Sequence, residues 1–331
     1  MNAGEKIVPQ FEKEVKVKFV DYFQGFDAEH CWIVKMLSKR YRVVLSDEPD
    51  YLFFTVFSDE NMRYQDCVKI FISGENIAPD FNLCDYALSS EKLTFGDRHC
   101  YYPYFLTATE ALVKAGKKHL QTEGKENRAF CSFVVSNGRA DRKRTELFNA
   151  ISAYRNIDSG GRYLNNVGGP VADKEAFEAK HKFSLCCENS SHPGYITEKL
   201  VQAFAAGTVP VYWGADDVCE VFNRKAMIFA NEYDSAEEVA KRVEQVDRDD
   251  ELYLSMLREP AFLDEDYVAR KWKEVEAFLF SVFDQEKEDA FRRNRAFWGK
   301  LYLDKLAAWK EAYEHPMKRV VRLFGKKFKR K

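Results

Sequence analysis

Glu188 and Asn189 close the apolar run 183–187 (FSLCC), and a loop of small residues, SSHPG, carries the chain on to Tyr195, Ile196, Thr197, Glu198 and Lys199. Leu200, Ala203 and Phe204 then recur at helical spacing, and Gly207 stands where a helix stop belongs, ahead of a second apolar run at 209–213. Strand, loop, helix start and strand is a layout that binds phosphates, because the free N–H groups and the dipole of a helix start favour an anion. Thr197 is placed to cap that helix. Lys199, in the first turn, is at the wrong end of the dipole and costs stability unless an anion sits between it and the helix start. Thr-Glu-Lys at a helix start is also ordinary surface chemistry, so those three residues alone do not define a site.

Other chemistry-bearing groups are scattered. Glu75 ends an apolar run at 68–72 followed by Ser and Gly, where a carboxylate is either a solvated turn residue or a base. Arg139, Arg142, Lys143 and Arg144 cluster on one predicted helix, and composition cannot choose among them. Asp247-Arg248-Asp249 and Asp264-Glu265-Asp266 spell the acidic pair that many sugar-nucleotide enzymes use for a metal. Both lie in acidic helical runs, away from any strand end, and are expected to be solvated faces; no metal site is expected. The six His residues lack ligand spacing, and His192, in the SSHPG loop, is expected to face donor or solvent. Eight cysteines contain no CxxC pair and are expected to be free, mostly buried thiols.

The elements that position these groups alternate between strand and helix. Val15, Val17 and Phe19 alternate with lysines, a period-2 strand, and 30–41 has helical spacing with Ile33, Met36 and Leu37 on one face. Short apolar runs follow at 43–45, 52–57 and 68–72. The polar stretch 121–128 (QTEGKENR) reads as a linker, after which strands at 130–135, 183–187, 209–213 and 227–230 alternate with helices at 141–154 and 197–206. From about 235 the chain is charge-rich and helical. This pattern predicts parallel sheets covered by helices, with a ligand cleft outside the carboxyl ends of the strands. A length of 331 residues suggests two domains. No GxGxxG follows a strand, which disfavours a dehydrogenase-type dinucleotide site.

The whole of 183–214 resembles the signature of the α1,3/4-fucosyltransferases, glycosyltransferase family ten: F-x-x-x-x-E-N, a short loop, Y-[VI]-T-E-K, a helix ending in Gly, and V-P-V-x-x-G. Phe183, Glu188, Asn189, Tyr195, Ile196, Thr197, Glu198, Lys199, Gly207, Val209-Pro210-Val211 and Gly214 match at the expected spacing. The stretches 129–138 with Arg144, 71–76 and 80–98 are similar to parts of the bacterial members. The resemblance implies an α/β fold of two facing Rossmann-like β/α/β domains (GT-B) with a helical C-terminal segment. Its expected divisions are an acceptor domain at 1–125, a GDP-sugar domain at 126–275, and C-terminal helices with a basic tail at 276–331. It implies inverting transfer of L-fucose from GDP-fucose to the 3-hydroxyl of GlcNAc or Glc in an oligosaccharide acceptor, with no cofactor or essential metal. Glu75 matches the family's base, and Arg144 and Lys199 its phosphate-binding pair. Glu198 would accept from the ribose hydroxyls, and Asn189 and Tyr195 would line the same pocket. A transferase using another nucleotide sugar, or a catalytically silent binding relative, are the alternatives.

The net charge of −2 hides an asymmetry: residues 317–331 carry eight Lys or Arg and no acid, leaving the rest with 43 bases against 53 acids. An acidic body argues against nucleic-acid binding. In the tail, Val320, Phe324 and Phe328 recur every four residues, so an amphipathic helix on an anionic membrane surface is expected there. No run approaches the ~18 apolar residues of a membrane span, and no leader pattern opens the chain, so a cytoplasmic protein with peripheral membrane contact is expected.

Overall fold

The computed structural model describes residues 13–120 and 122–314. β1 (Glu14–Val20) buries Val15 and Val17 and exposes Glu14 and Lys16, as its alternation requires. It is followed by α1 (Trp32–Leu37), β2 (Arg42–Leu45), β3 (Tyr51–Phe54), β4 (Val68–Ile72), β5 (Tyr86–Ser89), β6 (His99–Tyr101) and α2 (Thr109–Gly116). These strands form one parallel sheet in the order β2-β1-β3-β4-β5-β6. β3, β4 and β5 are buried along their whole length, which fits strands covered on both faces.

The second half contains β7 (Ala129–Phe133), α3 (Lys143–Tyr154), β8 (Asp158–Ser159), α4 (Lys174–Glu178), β9 (His181–Cys187), α5 (Glu198–Ala205), β10 (Val209–Trp213) and β11 (Ile228–Phe229). Its sheet, also parallel, runs β11-β10-β9-β7-β8. Both sheets therefore reverse strand order beside their first strand, between β1 and β3 in one and between β7 and β9 in the other. This is the doubly wound arrangement that the β/α alternation and the resemblance imply, and crevices at such reversals bind ligands. The halves pack through α2 against α5, with Phe105 edge-on to Phe222 at 5.2 Å.

Some elements differ from expectation. The helix at 30–41 is only the six residues of α1, and the strand at 52–57 ends at Phe54. β5 and β6 are three or four residues long and set among polar turns, too short for a periodic signal.

The chain's last third does not stay with the second sheet. α6 (Ala236–Arg248) and α7 (Asp250–Arg258) do, packing with α3 and β10. α8 (Tyr267–Phe283) returns to the first sheet, where Phe283 stacks on Tyr51 at 4.1 Å and Trp272 meets Trp32 at 5.1 Å. Residue 275, the expected edge of the second domain, falls inside α8. Beyond it Arg293 forms a buried ion pair with Asp85, and in α9 (Phe297–Glu314) Tyr302 donates to Asp80 at 2.6 Å. The C-terminal helices thus strap the second unit to the first. The amphipathic helix expected at 317–331 lies outside the described residues.

Candidate functional site

Arg144 stands where the second sheet reverses. Lys143–Tyr154 forms α3, which begins just beyond the loop that leaves β7. From its first turn Arg144 reaches Asn137 O at 2.9 Å, Cys187 O at 2.8 Å and Asn189 Oδ1 at 3.0 Å. It therefore ties the carboxyl ends of β7 and β9 together. The side chain is 1% exposed, its three partners are neutral oxygens, and its Nε has no acceptor among the described residues. A buried guanidinium without a carboxylate partner leaves charge for an anion to neutralise. The other members of the basic cluster, Arg139, Arg142 and Lys143, do not share this burial.

Glu188, at the end of β9, answers the question raised by Lys199. It is fully buried and accepts from the Thr197 N–H at 2.7 Å, the Thr197 hydroxyl at 2.6 Å and Lys199 Nζ at 3.2 Å. The anion needed between Lys199 and the helix start is thus supplied by the protein itself. Thr197 does occupy the N-cap position of α5, but its hydroxyl is spent on Glu188 and makes no side-chain cap bond to the helix. Lys199 also receives Glu198 at 3.5 Å. Burial would lower the Lys199 ammonium's pKa, yet Glu188 and Glu198 outweigh it and hold the pKa above its ordinary value. Burial would likewise raise the Glu198 carboxyl, but Lys199 and Lys174 beside it hold it below the usual carboxylate range. Both groups are ionised at neutral pH.

Gly214, the last position of the motif, permits this packing: a Cβ there would lie 2.7 Å from Glu188 Cγ and would collide with the Tyr212 hydroxyl. Gly207, at a φ of +65°, ends α5 as its place predicts.

A cavity of about 400 Å³ opens between the two units. Asn189, Tyr195, Glu198 and Lys199 line it from one side, and Glu75 and Tyr104 from the other. Glu75 is exposed on the turn after β4, which Ser73 fixes by donating to Glu75 O at 3.1 Å and accepting from its N–H at 3.0 Å. Arg144 is not part of the cavity wall; it lies behind Asn189, whose amide it orients. Burial raises the Tyr195 phenol far above its ordinary value, so it stays protonated.

The loop SSHPG is clasped by the first unit. His192 Nε2 lies 2.9 Å from Glu91 Oε2, Asn76 donates to Ser190 Oγ at 2.7 Å, and Tyr101 donates to Gly194 O at 3.2 Å. His192 thus contacts the facing domain while its ring stays partly exposed to solvent.

The Asp pairs have structural partners. Asp247 pairs with Lys182 at 3.0 Å, Asp249 caps α7 through the Leu252 N–H at 3.0 Å, and Asp264 pairs with Arg270. The cysteines are free, five of the eight buried.

The fully buried Glu188, and Tyr104 with Thr107 in the cavity wall, have roles that the sequence alone does not assign. Glu188 matches the motif, and a carboxylate ending an apolar strand near a misplaced lysine is itself a signal. Tyr104 and Thr107 lie on the 3-10 turn Tyr104–Thr107, whose local pattern marks nothing.

Known proteins are similar to this chain along most of its length. Residues 17–108 match the Alpha-(1,3)-fucosyltransferase FucT N-terminal domain, and residues 124–273 match the glycosyltransferase family 10 (fucosyltransferase) C-terminal region. The Alpha-(1,3)-fucosyltransferase FucT of Helicobacter pylori is 28% identical over 294 residues, covering 76% of this chain and 61% of that protein. The 4-galactosyl-N-acetylglucosaminide 3-alpha-L-fucosyltransferase 9 of Bos taurus is 36% identical over 127 residues, 37% of this chain and 34% of that one. This chain thus spans about three fifths or less of these relatives. A crystal structure of an alpha1,3-fucosyltransferase with GDP-fucose superposes with a TM-score of 0.68 at 24% identity, covering 84% of this chain and 94% of the other. At that identity the likeness shows the fold.

Proposed function

Because this chain belongs to the family 10 fucosyltransferases, we propose that it transfers L-fucose from GDP-fucose, with inversion, to the 3-hydroxyl of GlcNAc or Glc in a saccharide acceptor such as N-acetyllactosamine. The observation that carries this reading is the single cavity shared by Glu75 on one unit and by Asn189, Tyr195, Glu198 and Lys199 on the other. Inverting transfer needs a base on the face of the sugar opposite the leaving group. The Glu75 carboxylate takes the acceptor's proton as the O3–C1 bond forms and the bond from C1 to the phosphate oxygen breaks. GDP leaves as an anion. Lys199 and the start of α5 face its diphosphate, and fixed cations of this kind lower the barrier without reorganising. Arg144 supports them from behind through Asn189 and supplies unneutralised charge, while Glu198, held ionised, accepts from ribose hydroxyls.

No step calls on a metal, and the reaction should survive excess EDTA; activity lost to EDTA and restored by Mn²⁺ would contradict this. The basic segment 317–331 would hold the enzyme on an anionic bilayer, which co-sedimentation of full-length and truncated protein with anionic vesicles tests. The decisive experiment offers purified protein a panel of nucleotide sugars with type 1 and type 2 disaccharides and maps the linkage of the products. Release of GDP with a 3-linked fucoside is expected. Turnover of a different nucleotide sugar, or of none, overturns the proposal.

A further inference from the structure

The proposed base and the donor site stand on different units, so their separation must be fixed by contacts between the units. Glu75 belongs to the turn after β4 and Asn189 to the loop after β9. The residue that follows each of them supplies a link: Asn76 Nδ2 donates to Ser190 Oγ at 2.7 Å. Each end of that bond is held firmly within its own unit. In the first, Ser73 bonds the Glu75 backbone in both directions, and the Ile77 N–H donates to Glu75 O at 2.9 Å. Gly74 lies so close to the Tyr104 ring that a Cβ would collide with it. In the second, the Asp141 N–H donates to Asn189 O at 2.9 Å, Arg144 donates to Asn189 Oδ1 at 3.0 Å, and Ser191 donates to Gly214 O at 2.6 Å.

These contacts make one connected series, from Arg144 through Asn189 and Ser190 to Asn76 and Glu75. Glu75 and Asn189 line the cavity between the units, whereas Asn76 and Ser190 stand outside its wall. Neighbouring contacts between the units begin elsewhere. His192 meets Glu91 at 2.9 Å, Tyr101 donates to Gly194 O at 3.2 Å, and Lys92 pairs with Asp217 at 2.6 Å. Those three engage β6 and the loop after β5 on the first unit, and so hold the units together without touching the turn that carries Glu75. The Asn76 bond starts from that turn itself.

We propose that Asn76 is a positioning residue, whose bond to Ser190 sets the distance between the Glu75 carboxylate and the donor sugar. The proposal rests on the fucosyltransferase reading above. Rate depends steeply on that distance: reacting atoms must come within ~3–3.5 Å in the right alignment, and a misplacement of about 1 Å costs ~10²-fold. Asn76 moves no proton. Its amide is neutral, so it fixes the turn without placing a second charge beside the carboxylate. Because neither partner lines the cavity, breaking the bond alters where the base stands and not which groups meet the substrates.

The test uses the full chain with GDP-fucose and the better of the type 1 and type 2 disaccharides as acceptor. Asn76→Ala and Ser190→Ala should each lower kcat by roughly 10- to 100-fold, with KM for the acceptor and GDP affinity by calorimetry close to wild type. Asn76 is exposed and Ser190 half-buried, so neither truncation opens a core and Tm should hold. The double variant should lose no more than either single one, because both remove the same bond. Ser190→Thr keeps the hydroxyl and should recover most of the loss. Tyr101→Phe removes a bond to the same loop without touching the base turn and should cost kcat far less. An unchanged kcat in Asn76→Ala, additive losses in the double variant, or an equal loss in Tyr101→Phe overturns the proposal. Wild-type protein that transfers fucose to neither disaccharide overturns the fucosyltransferase reading, and this inference falls with it.

Discussion

The Glu188 carboxylate and the Lys199 ammonium lie 3.2 Å apart, and the same carboxylate takes both the N–H and the hydroxyl of Thr197. One buried group therefore joins the end of β9 to the start of α5 and holds the lysine that faces the proposed diphosphate. Removing one member of a buried pair leaves the other charged and unpaired, which costs about 3–5 kcal/mol. Glu188→Ala should lower the denaturation free energy by about that amount. Gly214→Ala, which presses a Cβ on Glu188, should also destabilise, and the two together should cost less than their sum. Denaturant melts check this, and simple additivity would mean that Gly214 and Glu188 act separately.

Glu75 has no comparable structural duty, since only its backbone is held by Ser73. Glu75→Gln should leave Tm and GDP affinity nearly intact and reduce turnover by ~10²–10⁴-fold, the usual contribution of a general base. Turnover close to wild type, measured as GDP release in the presence of acceptor, would remove Glu75 from the mechanism.

Arg144 and Lys199 are both assigned to phosphate binding, and both also hold structural contacts. Lys199 lines the cavity, so Lys199→Ala should weaken GDP binding by about 1.5–3 kcal/mol, the value of a hydrogen bond to a charged group, and should also lower Tm by leaving the buried Glu188 carboxylate without its cation. Arg144 lies behind the wall and ties β7 to β9, so Arg144→Ala should weaken GDP binding and also lower Tm. Calorimetry and thermal melts measure the two effects in each variant. Unchanged GDP affinity in both variants would count against the phosphate assignment.

The difference between what the sequence shows and what it conceals follows from range. Strands such as Val68–Ile72 and the segment Glu188 to Gly214 are legible because local apolar periodicity and a dense motif report local structure. Arg144 could not be singled out by composition, because what distinguishes it is contact with Cys187 and Asn189, more than 40 residues away. The return of α8 to the first sheet depends on Phe283 meeting Tyr51 across 232 positions, which no window can read.

Lys118 offers a prediction about pH. Its ammonium is buried, donates to Met256 O at 3.3 Å and Leu257 O at 3.1 Å near the end of α7, and lies 5.3 Å from the Phe204 ring. Burial, reinforced by the neighbouring charge of Lys125, pushes its pKa down to about 7, against the opposing pull of Glu259. In the unfolded chain the group keeps its proton up to about 10.4. Between these values the unfolded state binds more protons, so stability rises with pH from about 7 towards 10, and the cost levels off as pH falls below the folded value of about 7. Lys125, lowered to about 8, contributes with the same sign, so the wild-type slope alone does not isolate Lys118. Lys118→Met removes its term while keeping an unbranched apolar stem. The gain in stability of Lys118→Met over wild type should therefore be largest at pH 7 and below and should shrink as pH approaches 10. Denaturant melts of both proteins across that range measure it, and a gain that stays constant with pH would show that Lys118 keeps its proton in the fold.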